Sequence, residues 1–306
     1  MTTSTTVGVH VGPTPLPSLI AAVEAAGATV EDDPAGADVV VWRGSDHQRL
    51  GQVLRRGHRV RWVQLGAAGT DAWAPTGMFD DGRIWTSAKG AYSEAVAEHA
   101  LALTLALTRG LAHYARTTTW TGARGTNLYG STVLLLGARG GIGQELIRLL
   151  EPFGARILGG GRDGVTDMST GLSIALDDAI AQADIVMVAA PLTPSTRGLI
   201  SREWFDLMAP TAILVNVGRG AIVDTAALVE ALQEDRIGGA ALDVTDPEPL
   251  PDGHPLWTLD NCLITPHSAN PLEMLMPQLA QRITDNLVRF AEGRPLVGVI
   301  DPAKGY

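Results

Sequence analysis

Several things are scarce in this sequence, and each scarcity excludes something. Cys262 is its one cysteine, so no internal disulfide can form and a reducing compartment fits best. Aromatic residues make up only 5% and charged residues 18%, which leaves the core to be built from Ala, Val and Leu. Basic charge is in deficit, with 33 acidic against 23 basic residues and a net charge of −10. Such a surface repels phosphates and argues against a nucleic-acid partner. The stretch Ala100–Leu107 is broken by Thr104 and falls far short of the ~20 apolar residues that a bilayer span needs. Met1–Pro13 is polar, without the basic start and apolar run of a secretory signal. A cytoplasmic protein is expected, with no membrane partner.

Glycine, by contrast, is abundant, at 35 of 306 residues, and 45% of the chain is hydrophobic. That mix suits tight turns and close helix–sheet packing in an α/β protein of two domains. Val7–Val11, Val39–Trp42 and Arg61–Leu65 read as strands, separated by Ala- and Leu-rich segments such as Leu16–Ala26. The third strand runs straight into the loop Gly66–Gly69. Ser93 is predicted to cap a helix from about Glu94 to Arg109, apolar nearly all round and therefore buried on several sides. A second series opens at Ser131, with six strands predicted at Thr132–Leu136, Arg156–Leu158, Ile185–Ala189, Ala212–Asn216, Gly239–Asp243 and Cys262–Thr265. This is the pattern of a doubly wound parallel sheet. A helix closes the chain at about Leu272–Glu292. The expected partition is a sheet domain at 93–270 and a smaller, discontinuous domain from 1–92 and 271–306.

Leu134-Leu-Leu-Gly137-Ala-Arg-Gly140-Gly141-Ile142-Gly143 leaves a hydrophobic strand and enters a helix. Backbone N–H groups at such a turn, with the positive helix end, hold a pyrophosphate. Aligned on Gly140 and Gly143, the first position of G-x-G-x-x-G is Ala138. The same residues fit the G-x-x-x-G-x-G of short-chain dehydrogenases, but no tyrosine here has a lysine four positions on, and that family's catalytic pair is missing. After the second strand, where an acidic residue would hold the adenosine ribose, stands Gly161, followed by Arg162 and Asp163. An arginine without the carboxylate favours a 2′-phosphate and hence NADP(H). Asp163 as the ribose ligand is the other reading, and it favours NAD(H).

Four further segments carry chemistry. They are Ala190-Pro191-Leu-Thr-Pro-Ser-Thr-Arg-Gly-Leu199, Val215-Asn-Val217-Gly-Arg219-Gly-Ala-Ile-Val-Asp224, Ala241-Leu-Asp243-Val-Thr-Asp-Pro-Glu248 and Ile264-Thr-Pro-His267-Ser-Ala269. Together with Val96-Ala-Glu-His-Ala-Leu, they resemble the D-isomer-specific 2-hydroxyacid dehydrogenases, with blocks in matching order over roughly residues 60–270. The resemblance implies a Rossmann cofactor domain and a flavodoxin-like substrate domain with the active site in the cleft between them, closing on the substrate by a hinge.

Reduction of a 2-keto acid needs a hydride at the carbonyl carbon, a proton at its oxygen and a clamp on the carboxylate. His267 is the candidate proton donor and acceptor, assisted by Glu248. Arg219 is the candidate clamp and polariser. Singly, each of the three has a bland reading as a structural His, a solvated acid or an ordinary ion-pair partner. Jointly they lie at the carboxyl ends of separate parallel strands, where they can converge.

The resemblance also assigns Asp243 to the nicotinamide amide and places Pro191 and Val217 at the cofactor beside Gly140, Gly141, Ile142, Gly143 and Arg162. Ala67, Ala68 and Gly69 match the family's substrate-carboxylate loop, and Trp42 and Arg43 could touch substrate from the same domain. Tyr92 stands where many relatives carry asparagine. No metal is implied, and a homodimer through helix 94–109 is expected. The closest look is to the NADPH-linked glyoxylate and hydroxypyruvate reductases. Retention of Glu248 argues against formate oxidation, and a nucleotide-sensing co-regulator with little turnover is the alternative from another class.

Overall fold

The structure is a computed structural model that describes residues 6–303. Met1–Thr5 and Lys304–Tyr306, the ends of the smaller expected domain and part of the polar N-terminus, lie outside the described residues. The chain divides into two compact units: one runs through Tyr92 and resumes at Pro271, and the other is Ser93–Asn270.

The first unit opens with β1 (Gly8–Gly12), α1 (Pro17–Ala25), β2 (Thr29–Val30), β3 (Val39–Trp42), α2 (His47–Arg56), β4 (Trp62–Leu65) and β5 (Ile84–Thr86). The strands form an all-parallel sheet in the order β2-β1-β3-β4-β5, the flavodoxin-like order. Its central strands β3 and β4 are buried along their whole length, as a parallel sheet covered on both faces requires. Asp46 starts α2 by accepting the Arg49 N–H at 2.9 Å, and Arg55 and Arg56 end it, so both termini complement the helix dipole. The short strands β2 and β5 carry too few apolar residues to stand out in the sequence.

The second unit contains α3 (Ser93–Thr108), α4 (Leu111–Arg116), β6 (Thr132–Leu136), α5 (Gly141–Leu150), β7 (Arg156–Gly161), β8 (Gly164–Asp167), β9 (Ser173–Ile174), α6 (Leu176–Gln182), β10 (Ile185–Val188), α7 (Arg202–Leu207), β11 (Ile213–Asn216), α8 (Thr225–Gln233), β12 (Gly239–Leu242) and β13 (Cys262–Ile264). Its sheet runs β13-β12-β11-β10-β6-β7-β8-β9. Alternation along β6 sorts the core. Leu134 and Leu136 join one cluster with Trp204, Phe205 and Leu228, while Val133 and Leu135 join another with Ala97, Leu103, Leu146 and Leu150. Helices thus cover both faces.

Two expectations change in this unit. Eight strands are present where six were predicted, because the chain reverses at Arg162–Asp163 and β8 and β9 add as an antiparallel edge. With the sequences Gly-Val-Thr-Asp and Ser-Ile, these strands lack the apolar run that marks a buried strand. Ser93, expected to precede the helix as its cap, is the first residue of α3. α3 buries Ala97, Ala100, Leu103 and Thr104, whereas Leu101, Leu105, Ala106 and Leu107 stay half-buried and Ala102 is exposed. The chain returns to the first unit through α9 (Leu272–Ala291). Among the described residues, no helix is long and apolar enough to cross a membrane.

Candidate active site

Strand order reverses at β6, whose neighbours are β10 on one side and β7 on the other. Open α/β sheets bind ligands at the carboxyl ends of such strands. The glycine-rich turn leaves β6 at this point, and Gly140 precedes α5 with no side-chain cap on the first N–H groups. A Cβ on Gly143 would collide with the Gly137 carbonyl and with Ala138, so the turn closes only around glycine. The departure at Ala138 has a counterpart in the neighbouring strand: a Cβ built on Gly159 would lie 3.1 Å from that of Ala138. An uncapped helix start within a cradle that a side chain would fill fits a dinucleotide pyrophosphate.

Gly140 and Gly141 are exposed, Ile142 is half-buried and Gly143 is buried. Arg162 and Asp163 form the two-residue tip of the β7–β8 hairpin, between the paired Gly161 and Gly164. Arg139 of the glycine turn reaches that tip, with Nη1 2.8 Å from Asp163 Oδ2. Pro191 is exposed, and its carbonyl accepts the Thr196 hydroxyl at 2.8 Å. Val217 is buried in the face under α3 and α5.

The loops after β11, β12 and β13 emerge at one end because these strands are parallel and in register. Buried Asn216 shapes the first loop: its side-chain oxygen accepts the Gly218 N–H and its amide donates to the Arg219 carbonyl, both at 3.0 Å. Arg219 Nη1 donates to the Gly218 carbonyl at 2.8 Å. A Cβ on the next residue, Gly220, would overlap the Thr245 carbonyl, so glycine lets the loops of β11 and β12 touch. The loop of β12 then meets that of β13, where His267 Nδ1 lies 2.7 Å from Glu248 Oε1. These two side chains are about half exposed, at 52% and 42%.

His267 takes a left-handed backbone, φ 51°, which costs a non-glycine residue on the order of 1 kcal/mol. Asp243 supplies the restraint. Its carbonyl accepts the His267 N–H at 2.8 Å, and its carboxylate accepts the N–H groups of Ser268 and Ala269 at 2.8 and 3.2 Å and the Thr265 hydroxyl at 2.6 Å. Burial, the largest single influence on this carboxyl, pushes its pKa up. The donors from His99, Thr265, Ser268 and Ala269 together outweigh burial and hold it below the ordinary carboxylate value. Oδ2 accepts one of these bonds, which leaves acceptor capacity there for a cofactor amide.

In the first unit, the loop after β4 has Ala67 exposed and Ala68 and Gly69 half-buried. Tyr92 braces it by donating its hydroxyl to the Gly66 carbonyl at 2.7 Å. The phenol is 7% exposed, and burial pushes its pKa up. Arg43 lies across Gly66. Trp42 is a correction: expected at the substrate, it is 1% exposed and packs in the core with Leu50, Leu54 and Trp73. β3 alternates its side chains, and burial on both faces takes the indole inward.

Sequence reasoning missed Tyr92 as a brace, Arg139 as a partner of Asp163, and His99. The last lay in plain view within the segment Val96–Leu101, where no spacing argument gave it a task.

The family description "D-isomer specific 2-hydroxyacid dehydrogenase, NAD binding domain" matches residues 101–269. A glyoxylate reductase from Aeropyrum pernix is 38% identical over 256 residues, covering 79% of this chain and 76% of that protein. An uncharacterised protein from Corynebacterium melassecola is 35% identical over 297 residues, 94% of this chain and 96% of its own. Among solved structures, a D-isomer specific 2-hydroxyacid dehydrogenase from Xanthobacter autotrophicus Py2, in complex with NADPH and MES, superposes with TM-score 0.83 at 28% identity over 98% of this chain and 99% of that one.

Proposed function

This chain belongs to the D-isomer specific 2-hydroxyacid dehydrogenase family, a family of NAD(P)-dependent enzymes, and from that premise we propose that it reduces a small 2-keto acid of the size of glyoxylate or hydroxypyruvate. The observation that carries the reading is the 2.7 Å contact of His267 with Glu248, set beside the Arg219 loop by the Gly220–Thr245 contact.

The nicotinamide, when bound, supplies the hydride for the carbonyl carbon. His267 Nδ1–H is turned to Glu248, so Nε2 is the ring nitrogen that delivers a proton to the carbonyl oxygen. Glu248 fixes the ring orientation and stabilises the imidazolium before transfer. Arg219 holds the substrate carboxylate and polarises the carbonyl with its planar fork. Ala67, Ala68 and Gly69 are read as a loop whose backbone N–H groups suit a substrate carboxylate, with Arg43 adding positive charge beside them.

Gly140, Gly141, Ile142 and Gly143 would hold the cofactor pyrophosphate, Pro191 and Val217 would border it, and Asp243 would offer Oδ2 as an acceptor for the amide. NADPH is read as preferred over NADH, because Arg162 stands at the hairpin tip and Arg139 already engages the carboxylate of Asp163. The relatives named for glyoxylate reduction support the substrate class. The half-buried outer row of α3 supports a twofold homodimer, which sedimentation equilibrium tests, and the single buried cysteine suits a cytoplasmic setting.

The decisive assay follows nicotinamide absorbance with NADPH and NADH against glyoxylate, hydroxypyruvate, pyruvate and larger 2-keto acids. Oxidation of NADPH by the small acids is expected, with Arg219→Ala lowering kcat/KM about 10²-fold or more. Silence toward every acid, with cofactor binding intact, would instead favour a nucleotide-sensing co-regulator.

A further inference from the structure

The turn that carries His267 is gripped from one point. The backbone N–H of His267 goes to the Asp243 carbonyl, and those of Ser268 and Ala269 go to the Asp243 carboxylate. Thr265, on the other side of His267, gives its hydroxyl to the same carboxylate at 2.6 Å. One side chain, 2% exposed, therefore holds the chain before and after a residue in a left-handed conformation. An ionised carboxylate so deeply buried is costly unless charge or strong donors answer it.

A histidine on a different element meets it. His99 rises from α3, with Nε2 3.0 Å from Thr265 Oγ1 and 3.4 Å from Asp243 Oδ1. Proton counting fixes its tautomer. A threonine hydroxyl has one proton, and the 2.6 Å contact with the carboxylate takes it. In the contact between Thr265 and His99, the imidazole must therefore be the donor. Nε2–H is shared between the hydroxyl and the carboxylate, whether the ring is neutral or charged.

We propose that His99 is a positioning residue for His267: its Nε2–H locks the Asp243 carboxylate and the Thr265 hydroxyl, and through them the turn that aims the His267 ring. This rests on the reading of His267 as the proton donor. His99 touches neither substrate nor cofactor in this role. It acts through Asp243, at a distance where a small displacement of the ring costs turnover more than binding.

The test compares His99→Phe, which fills the space without a donor, with His99→Gln, whose amide N–H can replace Nε2–H. His99→Phe is expected to lower kcat about tenfold or more while the KM for the keto acid stays within about threefold. His99→Gln should recover most of the loss. Full kcat in His99→Phe, or equal loss in both variants, overturns the inference. Should His99→Phe fail to fold, nitrogen-15 histidine spectra of the wild-type enzyme decide: a protonated Nε2 at His99 that changes in Thr265→Val supports it, and a bare Nε2 overturns it. A His267→Ala control separates the two ideas. Full turnover in that control overturns the acid–base reading itself, whereas an inactive control beside a fully active His99→Phe overturns only the role of His99.

Discussion

Glu248 and His267 meet through a single 2.7 Å contact at Nδ1, and the two come from the loops after β12 and β13. The contact commits one ring nitrogen, Nδ1, to a carboxylate, and the proposed proton transfer uses the other. Replacing His267 by Ala is expected to lower kcat about 10²-fold or more, and Glu248→Gln about tenfold or more, as the scale of general acid–base catalysis implies. Steady-state rates on purified, folded variants check both. A Glu248→Gln enzyme with wild-type kcat would leave that contact without a catalytic part.

Cofactor choice should respond to the hairpin tip. Arg162→Ala is expected to weaken NADPH binding about tenfold or more, the scale of losing a charge-assisted phosphate contact, while NADH changes within about twofold. Fluorescence titration of each nucleotide measures this without turnover. Equal weakening of both would remove Arg162 from 2′-phosphate recognition.

Asp167 makes the folded state pH-dependent. Its carboxylate accepts the Ser169 hydroxyl at 2.6 Å, Arg156 Nε at 2.8 Å and the Ser169 N–H at 2.9 Å. Ser169 first and Arg156 next hold it well below the ordinary carboxylate range. A pKa depressed by folding stabilises the protein above the unfolded value of about 4, and that contribution is lost as pH falls below it. Wild type should therefore melt higher than Asp167→Asn near neutral pH, with the gap starting to narrow as pH falls through about 4 and still partly open at about pH 3. A gap independent of pH, read by thermal melts, would contradict the linkage.

Cys262 lies at the start of β13 and is 1% exposed, and burial pushes its thiol up to about 12. Thiolate is the reactive form. A thiol-specific chromogenic reagent should leave the native protein unmodified and titrate one thiol in denaturant. Fast native labelling would mean that β13 opens readily.

The cofactor strand-turn-helix was legible because three constraints coincide there: a buried apolar strand, glycines that the backbone geometry demands, and a helix start. The placement of Arg219, Glu248 and His267 in loops at one end of the sheet was legible, since each follows a predicted parallel strand and such strands share one carboxyl end. The antiparallel β8 and β9 were not legible, because their few apolar residues give no period. Trp42 was misread because the sequence places it at a strand end without saying which way its ring turns.

The amino-acid sequence by itself determined the α/β class, the order of the apolar central strands along the chain, the glycine turn and the family. Those properties depend on neighbours a few residues apart, where hydrophobic period and backbone sterics act. Only the tertiary structure decided that Glu248 reaches His267 and not a solvated loop, that Tyr92 braces Gly66, and that His99 meets Asp243 and Thr265. Such pairings join residues far apart in the chain across the ends of parallel strands. Their distances depend on register and loop closure, which no local pattern encodes.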